Sequence, residues 1–301
     1  MINLLKVMLL GALALVSPIM AIGQSETLVA TDHSLTIPES MEGRRSPIWS
    51  GGSLIVPQGP MGEENAFRAY DGGGRMVFNA TFTVPEADHT YVRGFSRGAD
   101  GILAICGLSS LNDGSSAPFL ATISSDGGSQ RLVRTAPYTP NVVVVAPDGT
   151  FWTVGRELDA RLSEKSGVNL EAGVLRHFDK SGKLLSAFVP RSTISDTTTL
   201  ASGQSFLVAS SDRVGWIRFT PVGQASYMEV TADSATSTYP IPFPAGSQVL
   251  LEVNGLALTD EGEVFAALLF VDATPPNVKK TSVIGAQDDS PATVRFLTVR
   301  R

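Results

Sequence analysis

The sequence has few of the residues that disulfides, metal centres and basic interfaces need. Cys106 is the only cysteine, so no disulfide can form within the chain. His33, His89 and His177 are scattered and share no spacing typical of metal ligands. The chain holds 23 Lys and Arg against 29 Asp and Glu, a net charge of -6 with no basic run. Nucleic acid is therefore not an expected partner, and no metal site is predicted from these residues.

Convincing helical periodicity is also missing from the chain after residue 23. Charged residues make up only 17% of the sequence, whereas it contains 29 Gly and 18 Pro, a composition that favours turn-rich β structure. Hydrophobic residues make up 43%, which is enough for a sizeable core and argues against global disorder. We therefore predict an all-β fold.

The first 23 residues have the pattern of a secretory signal. Lys6 is followed by the apolar run Val7–Val16, and Ala21-Ile22-Gly23 places small residues where a signal peptidase reads. The run is shorter than the ~20 residues of a spanning helix. We predict a signal peptide over residues 1–23, a single domain over residues 24–301, and a secreted or periplasmic protein with no membrane span after signal removal. A retained membrane anchor is the alternative.

Two kinds of glycine turn recur along the chain at intervals of about 50 residues. The first precedes a short apolar run and is centred on Gly52, Gly101, Gly149, Gly203 and Gly262. The second begins with an apolar residue and ends with a glycine. Its copies read YDGGG, ISSDG, FDKSG and FTPVG and end at Gly74, Gly127, Gly182 and Gly223. Each period therefore contains about four strands, which is typical of a β-propeller of four-stranded blades.

The number of blades and the closure of the ring follow from the two ends of the chain. Five repeats can be counted, and a sixth, degenerate blade within residues 232–252 and the tail is left open. The fifth repeat lacks a fourth strand, and Glu26–Ile37 has a strand-like pattern. We expect this N-terminal strand to close the ring by pairing with the last blade. A β-sandwich is the alternative fold, although its turns would not show the longer period.

Three segments resemble the gluconolactonase/regucalcin-like β-propellers. They are Ser46–Val56, which contains SPIW before an apolar strand, Pro140–Trp152, which contains PNVVVVAPDG, and Asn254–Phe265. The resemblance implies six blades, one divalent cation held by a Glu, an Asn and an Asp at the channel mouth, and hydrolysis of sugar lactones. Asn141 and Asn254 fall where the family's ligands begin the inner strands.

The position of the family's metal-binding Glu is occupied here by Arg45, which would repel a cation. Arg93 lies at another inner strand and adds positive charge. We therefore expect Arg45, Arg93, Asn141 and Asn254 to line the channel mouth, where two arginines suit a small anionic ligand.

The leading functional expectation is an exported β-propeller that binds a small molecule or an envelope protein and has no catalytic site or cofactor. Whether it is an enzyme is left open, with the balance towards no. The alternative is a divergent metal-dependent, lactonase-like hydrolase. That alternative needs Ca²⁺ or another divalent cation, and an acid such as Glu42, Glu64 or Glu157 to reach the channel.

Overall fold

The computed structural model describes most of the chain after residue 44. The described residues are 45, 47–157, 169–194, 207–219, 225–231, 236–241, 248–259, 262–272 and 292–299. The secretory signal, the closing strand Glu26–Ile37 and Glu42 lie outside these ranges, so those expectations stay predictions. No helix in these ranges is long and apolar enough to cross a membrane.

Within these ranges, nineteen strands fall into five antiparallel sheets, each built from strands that are consecutive in sequence. Blade 1 contains β1 (Ile48–Ser50), β2 (Ser53–Gln58), β3 (Ala66–Tyr70) and β4 (Met76–Thr81). Blade 2 contains β5 (Ala87–Arg97), β6 (Leu103–Leu111), β7 (Ser116–Ile123) and β8 (Gln130–Arg134). Blade 3 contains β9 (Tyr138–Val145), β10 (Phe151–Glu157), β11 (Gly173–Phe178) and β12 (Leu184–Pro190). Blade 4 contains β13 (Leu207–Ala209), β14 (Arg213–Phe219), β15 (Ala225–Thr231) and β16 (Thr236–Ile241). The last sheet contains β17 (Gln248–Leu258), β18 (Val264–Asp272) and β19 (Ala292–Val299).

Blade 2 is buried on both faces, because it lies between two neighbours. Leu103 and Ile105 of β6 pack into the apolar cluster shared with blade 1. Ala104 and Cys106, which alternate with them, pack into the cluster shared with blade 3. Successive side chains of a strand point to opposite faces, so a continuous apolar run is what a sheet covered on both sides requires.

The first strands of successive sheets lie next to one another. β5 contacts β9, β9 contacts β13, and β13 contacts β17. β1 is tied to β5 by the Ser50 hydroxyl, which donates to the Arg97 carbonyl oxygen at 2.9 Å and accepts from the Arg97 amide at 3.0 Å. Side chains on β1, β5 and β9 are therefore brought together although they are about 48 residues apart in sequence.

The turn residues have structural roles. In the FDKSG turn, the Asp179 carboxylate accepts the amides of Ser181 at 2.7 Å and Lys183 at 2.9 Å. Gly182 has a φ of +80°, a conformation that favours glycine. This segment therefore acts as a tight connection between β11 and β12, since its carboxylate is already used by the backbone.

The prediction of an all-β propeller is confirmed, but the expected blade count is not. The described residues contain four four-stranded blades and one three-stranded sheet, rather than five or six four-stranded blades. The four turns of the second kind also do not all occupy the same position in a blade. Three of them join the third and fourth strands of a blade, whereas Phe219–Gly223 separates the second and third strands of blade 4. Glycine spacing marks a turn but does not identify the strands that the turn connects.

Candidate functional site

Arg45 lies just before β1 and joins blade 1 to blade 2. Its Nε donates to Glu64 Oε1 at 2.8 Å. Its Nη1 donates to the Arg93 carbonyl oxygen at 2.8 Å, and its Nη2 donates to the Val92 carbonyl oxygen at 2.7 Å. The planar guanidinium thus binds one carboxylate oxygen and two successive backbone carbonyls, a set of contacts that suits its rigid fork.

A bulge in β5 explains why these two carbonyls are available to Arg45. The pairing of β5 with β6 shifts between Val92 and Gly94, so Arg93 is the extra residue. A bulged residue is left without its ladder partner. The Val92 amide donates to the Gly62 carbonyl oxygen at 2.8 Å, which turns this part of β5 towards the β2–β3 connection.

Glu64 lies in the β2–β3 connection and is fully buried, with 0% of its side chain exposed. Its Oε1 accepts from Arg45, whereas its Oε2 has no hydrogen-bond partner among the described residues. A buried carboxylate is costly without a positive partner. Arg45 supplies that partner, so the pair stabilises the loop but leaves Glu64 without access to a dissolved ligand.

Arg93 joins blade 2 to blade 3. Its Nη1 donates to Asn141 Oδ1 at 2.5 Å, and Asn141 is itself buried on β9. Burial lowers the pKa of Arg93, and the positive charge of Arg156 lowers it further, whereas Cys106 raises it. The guanidinium nevertheless stays charged. Arg93 is therefore a half-buried cation that has another cation as its electrostatic neighbour.

Arg156 lies near the end of β10 and is exposed. Among the residues that the structure describes, no carboxylate forms an ion pair with Arg93 or Arg156. Arginines that no described carboxylate compensates favour the binding of an anion. We call Arg93, Arg156 and Asn141 the cationic clamp.

Glu157, next to Arg156, belongs to a separate network in blade 3. Its Oε2 accepts from Arg176 Nη2, and its Oε1 accepts from Asn169 Nδ2 at 2.9 Å. The Arg176 guanidinium lies 4.0 Å from the centre of the Tyr138 ring. Only 19% of the Glu157 side chain is exposed, and both of its oxygens already have partners.

The structure brings together three of the four residues that the sequence placed at the channel mouth. Arg45, Arg93 and Asn141 form one connected set, although Arg45 is engaged by Glu64 and the β5 backbone. Asn254 lies on β17, and its side chain is outside the described residues. Sequence reasoning missed Arg156. The only sequence feature that could have indicated Arg156 is its position at the end of the strand that follows the Gly149 turn.

The described residues do not fit the divalent cation of the lactonase-like alternative. The Glu64 carboxylate, which would be a hard oxygen ligand, is already bound by the Arg45 guanidinium. No group of three or more His, Cys, Asp or Glu side chains in the described part of the chain is arranged to hold a metal. We derive no step through a metal at this site.

No family model and no curated protein matches this chain. A GH43_1 enzyme from Xanthomonas citri complexed with xylose is 10% identical, with 75% of this chain and 80% of that chain covered and a TM-score of 0.41. A thermostable family-43 glycoside hydrolase is 11% identical, covering 85% and 88%, with a TM-score of 0.43. A PL25 ulvan lyase bound to -[GlcA(1-4)Rha3S]- is 13% identical, covering 84% and 68%, with a TM-score of 0.42.

These comparisons correct two expectations. The resemblance to the gluconolactonase/regucalcin-like propellers is not supported, because the similar solved structures belong to other propeller groups. The expectation of a non-catalytic binding or scaffold protein is also corrected, because the similar solved structures are glycoside hydrolases and a polysaccharide lyase. At such low identity the similarity describes the fold, and it gives no residue of this chain a role.

Proposed function

We propose that this chain is a carbohydrate-active enzyme that cleaves an acidic saccharide by β-elimination at a uronic acid. The observation that carries the proposal is the cationic clamp, in which Arg93 is held by the neutral amide of Asn141 and no described carboxylate forms an ion pair with Arg93 or Arg156. A uronic acid carboxylate would supply the missing negative charge. Guanidinium groups bind carboxylates through short, charge-assisted hydrogen bonds.

Glu64 and Glu157 are not placed to act in hydrolysis. Glycoside hydrolysis ordinarily needs two accessible carboxyl groups on either side of the bond. Glu64 is fully buried, and both oxygens of Glu157 already have partners. Elimination instead needs a cation that neutralises the substrate carboxylate, which makes the hydrogen on the adjacent carbon more acidic.

The proton-transfer groups would come from the same strand as Arg93. His89 and Tyr91 lie on β5 with ring centres 6.4 Å apart, and Tyr91 is 41% exposed. A strand rises about 3.3 Å per residue, so Tyr91 and Arg93, which the bulge brings no further apart, lie within about 7 Å of each other along β5. That separation is suitable for one sugar residue to touch both.

The reaction balances with these groups alone. The imidazole of His89 accepts the hydrogen next to the carboxylate as a proton. A double bond forms between the two ring carbons as the bond to the glycosidic oxygen breaks. That oxygen takes the proton of the Tyr91 hydroxyl, and the two residues then exchange protons with solvent. No redox partner is consumed.

The test is to incubate the purified chain separately with polygalacturonate, alginate, xylan and arabinan. We expect a polyuronate to release reducing ends together with the ultraviolet absorption of an unsaturated uronic product. Arg93→Gln should abolish this activity, and Arg131→Gln, an exposed arginine of β8, should keep it. Reducing ends without that absorption, or activity on the neutral polymers alone, would overturn elimination. Inactivity on all four would overturn the choice of substrate class.

We further infer that the protein is exported and that its ring is closed by residues 26–37. A polysaccharide is met outside the cytoplasm, which agrees with the predicted signal over residues 1–23. The last sheet has three described strands, so β19 offers one edge to a further strand. Deleting residues 26–37 should lower the unfolding temperature, and an unchanged temperature would count against closure by this strand.

A further inference from the structure

We propose that Arg45 is a positioning residue that holds the β5 bulge and thereby aims Arg93 at the bound anion. Arg45 is one of the four residues that the sequence had placed among the ligand-binding groups. The consequence of this positioning role for catalysis rests on the function proposed above. The effect of Arg45 on Arg93 and on anion binding does not require that function to be correct.

The contacts of Arg45 are all with the protein. Its Nε, Nη1 and Nη2 donate respectively to Glu64 Oε1, the Arg93 carbonyl oxygen and the Val92 carbonyl oxygen, at 2.7–2.8 Å. Its carbon Cζ also lies 6.0 Å from the centre of the Phe95 ring. Only 23% of its side chain is exposed. A group engaged in this way is better placed to fix the backbone than to bind a substrate.

The two carbonyls that Arg45 binds lie on either side of the Arg93 α-carbon position in the chain. Fixing them sets the direction in which the Arg93 side chain leaves the strand. A bulge is the kind of irregularity that re-aims a side chain next to a functional site. Without Arg45, these two carbonyls would lose their charged donor, and the extra residue would have more freedom to move.

Gly94, the residue after Arg93, packs closely against β9 of blade 3. A Cβ atom on Gly94 would lie 3.0 Å from both the Asn141 carbonyl oxygen and the Val142 α-carbon. The bulge is therefore enclosed between Arg45 on the blade 1 side and β9 on the blade 3 side. This arrangement explains how Arg93 meets Asn141 Oδ1 at 2.5 Å, and why its remaining donors are presented to a ligand in a fixed direction.

Glu64 orients the Arg45 guanidinium. Because Glu64 is buried and binds Nε, the guanidinium plane is fixed while both terminal nitrogens face β5. A lysine at position 45 could keep the charge beside Glu64, but its single ammonium group could not reproduce the fork. Arg45→Lys therefore separates the positioning role from charge compensation.

The experiment uses the full chain and inorganic sulfate as the probe anion. Arg45→Lys, Arg93→Gln, Glu64→Gln and the control Arg131→Gln are compared by calorimetric sulfate binding and by amide hydrogen exchange of residues 92–95. We expect Arg45→Lys to weaken sulfate binding about tenfold and to speed exchange at these residues. On an active polyuronate, we expect it to lower kcat by up to ~100-fold, as for an active group displaced by about 1 Å.

The outcomes distinguish a positioning role of Arg45 from direct binding of the anion by Arg45. Weaker sulfate binding without faster exchange would make Arg45 a direct ligand and overturn the proposal, as would no change in either quantity. Weaker binding and faster exchange in a chain that cleaves no saccharide would retain the positioning role and reject the proposed function. If Arg45→Lys does not fold, Glu64→Gln supplies the test, with a smaller change in the same direction expected and an unchanged bulge counting against the proposal.

Discussion

Arg93 Nη1 and Asn141 Oδ1 lie 2.5 Å apart and join the inner strands of blades 2 and 3. The arginine donates this bond to a neutral amide, although a carboxylate would compensate its charge better. A structural pair would gain from an acid at position 141, because an ionic hydrogen bond contributes more than a neutral one. The neutral partner leaves the positive charge available to a ligand.

Asn141→Asp should therefore retain stability and lose function. The new carboxylate would accept from Arg93 and could raise the free energy of unfolding by about 1 kcal/mol. It would also repel an anionic substrate, so we expect weaker sulfate binding and loss of polyuronate cleavage. Chemical denaturation and sulfate calorimetry check the two effects. Asn141→Ala is the control, since it removes the bond without adding charge. Undiminished sulfate binding by Asn141→Asp would contradict the assignment of the clamp.

The sequence predicted the architecture from features that every blade needs. Short apolar runs after the recurring glycine turns predicted about four strands in each period, and Gly74, Gly127 and Gly182 do lie in turns between third and fourth strands. The predicted site was less complete, because the bulge at Arg93 has no clear sequence pattern. Arg156 lies on β10 of blade 3 and Arg93 on β5 of blade 2, so no local spacing in the sequence relates them.

Stability should fall at mildly acidic pH because of His177. Burial lowers the pKa of His177, whereas Asp148 raises it. Its ring stacks on Trp152 at 4.1 Å, and its Nε2 donates to the Thr150 hydroxyl oxygen, whose own hydrogen goes to Asp148 at 2.7 Å. The stability gained from the neutral ring is fully present above the ordinary pKa of about 6.5. It is lost as pH falls through the lowered folded-state value.

Denaturation midpoints measured between pH 8 and pH 5 test this dependence. His177→Phe should keep the stacking on Trp152 and flatten the decline at acidic pH. His89→Ala, at an exposed position, is the control and should keep the wild-type slope. A His177→Phe curve parallel to that of the wild type would show that other groups cause the decline.

Gly182 and Gly114 offer a matched pair for the role of the turns. Both have a φ of +80°. A Cβ on Gly182 would lie 2.6 Å from Val133 Cγ2 in blade 2, whereas a Cβ on Gly114 would meet nothing within 4 Å. Gly114→Ala should cost about 1–2 kcal/mol, from backbone strain alone. Gly182→Ala should cost about 1–3 kcal/mol more, because the added methyl group overpacks the contact between blades.

Chemical denaturation of the two variants measures the difference. Val133→Ala combined with Gly182→Ala should recover part of the additional loss, since it removes the methyl group that clashes. Equal destabilisation by Gly114→Ala and Gly182→Ala would mean that the FDKSG turn does not pack tightly against blade 2.

Cys106 should report opening of the contact between blades 2 and 3. Its thiol is fully buried, and burial raises its pKa to about 12 although Arg45 and Arg93 lower it. Thiolate is the reactive form, so iodoacetamide at pH 8 should label the native chain very slowly and the unfolded chain rapidly. Labelling at increasing denaturant, followed by mass spectrometry, should track the unfolding transition, with Cys106→Ala as the unlabelled control. Rapid stoichiometric labelling of the native chain would show that this contact opens without global unfolding.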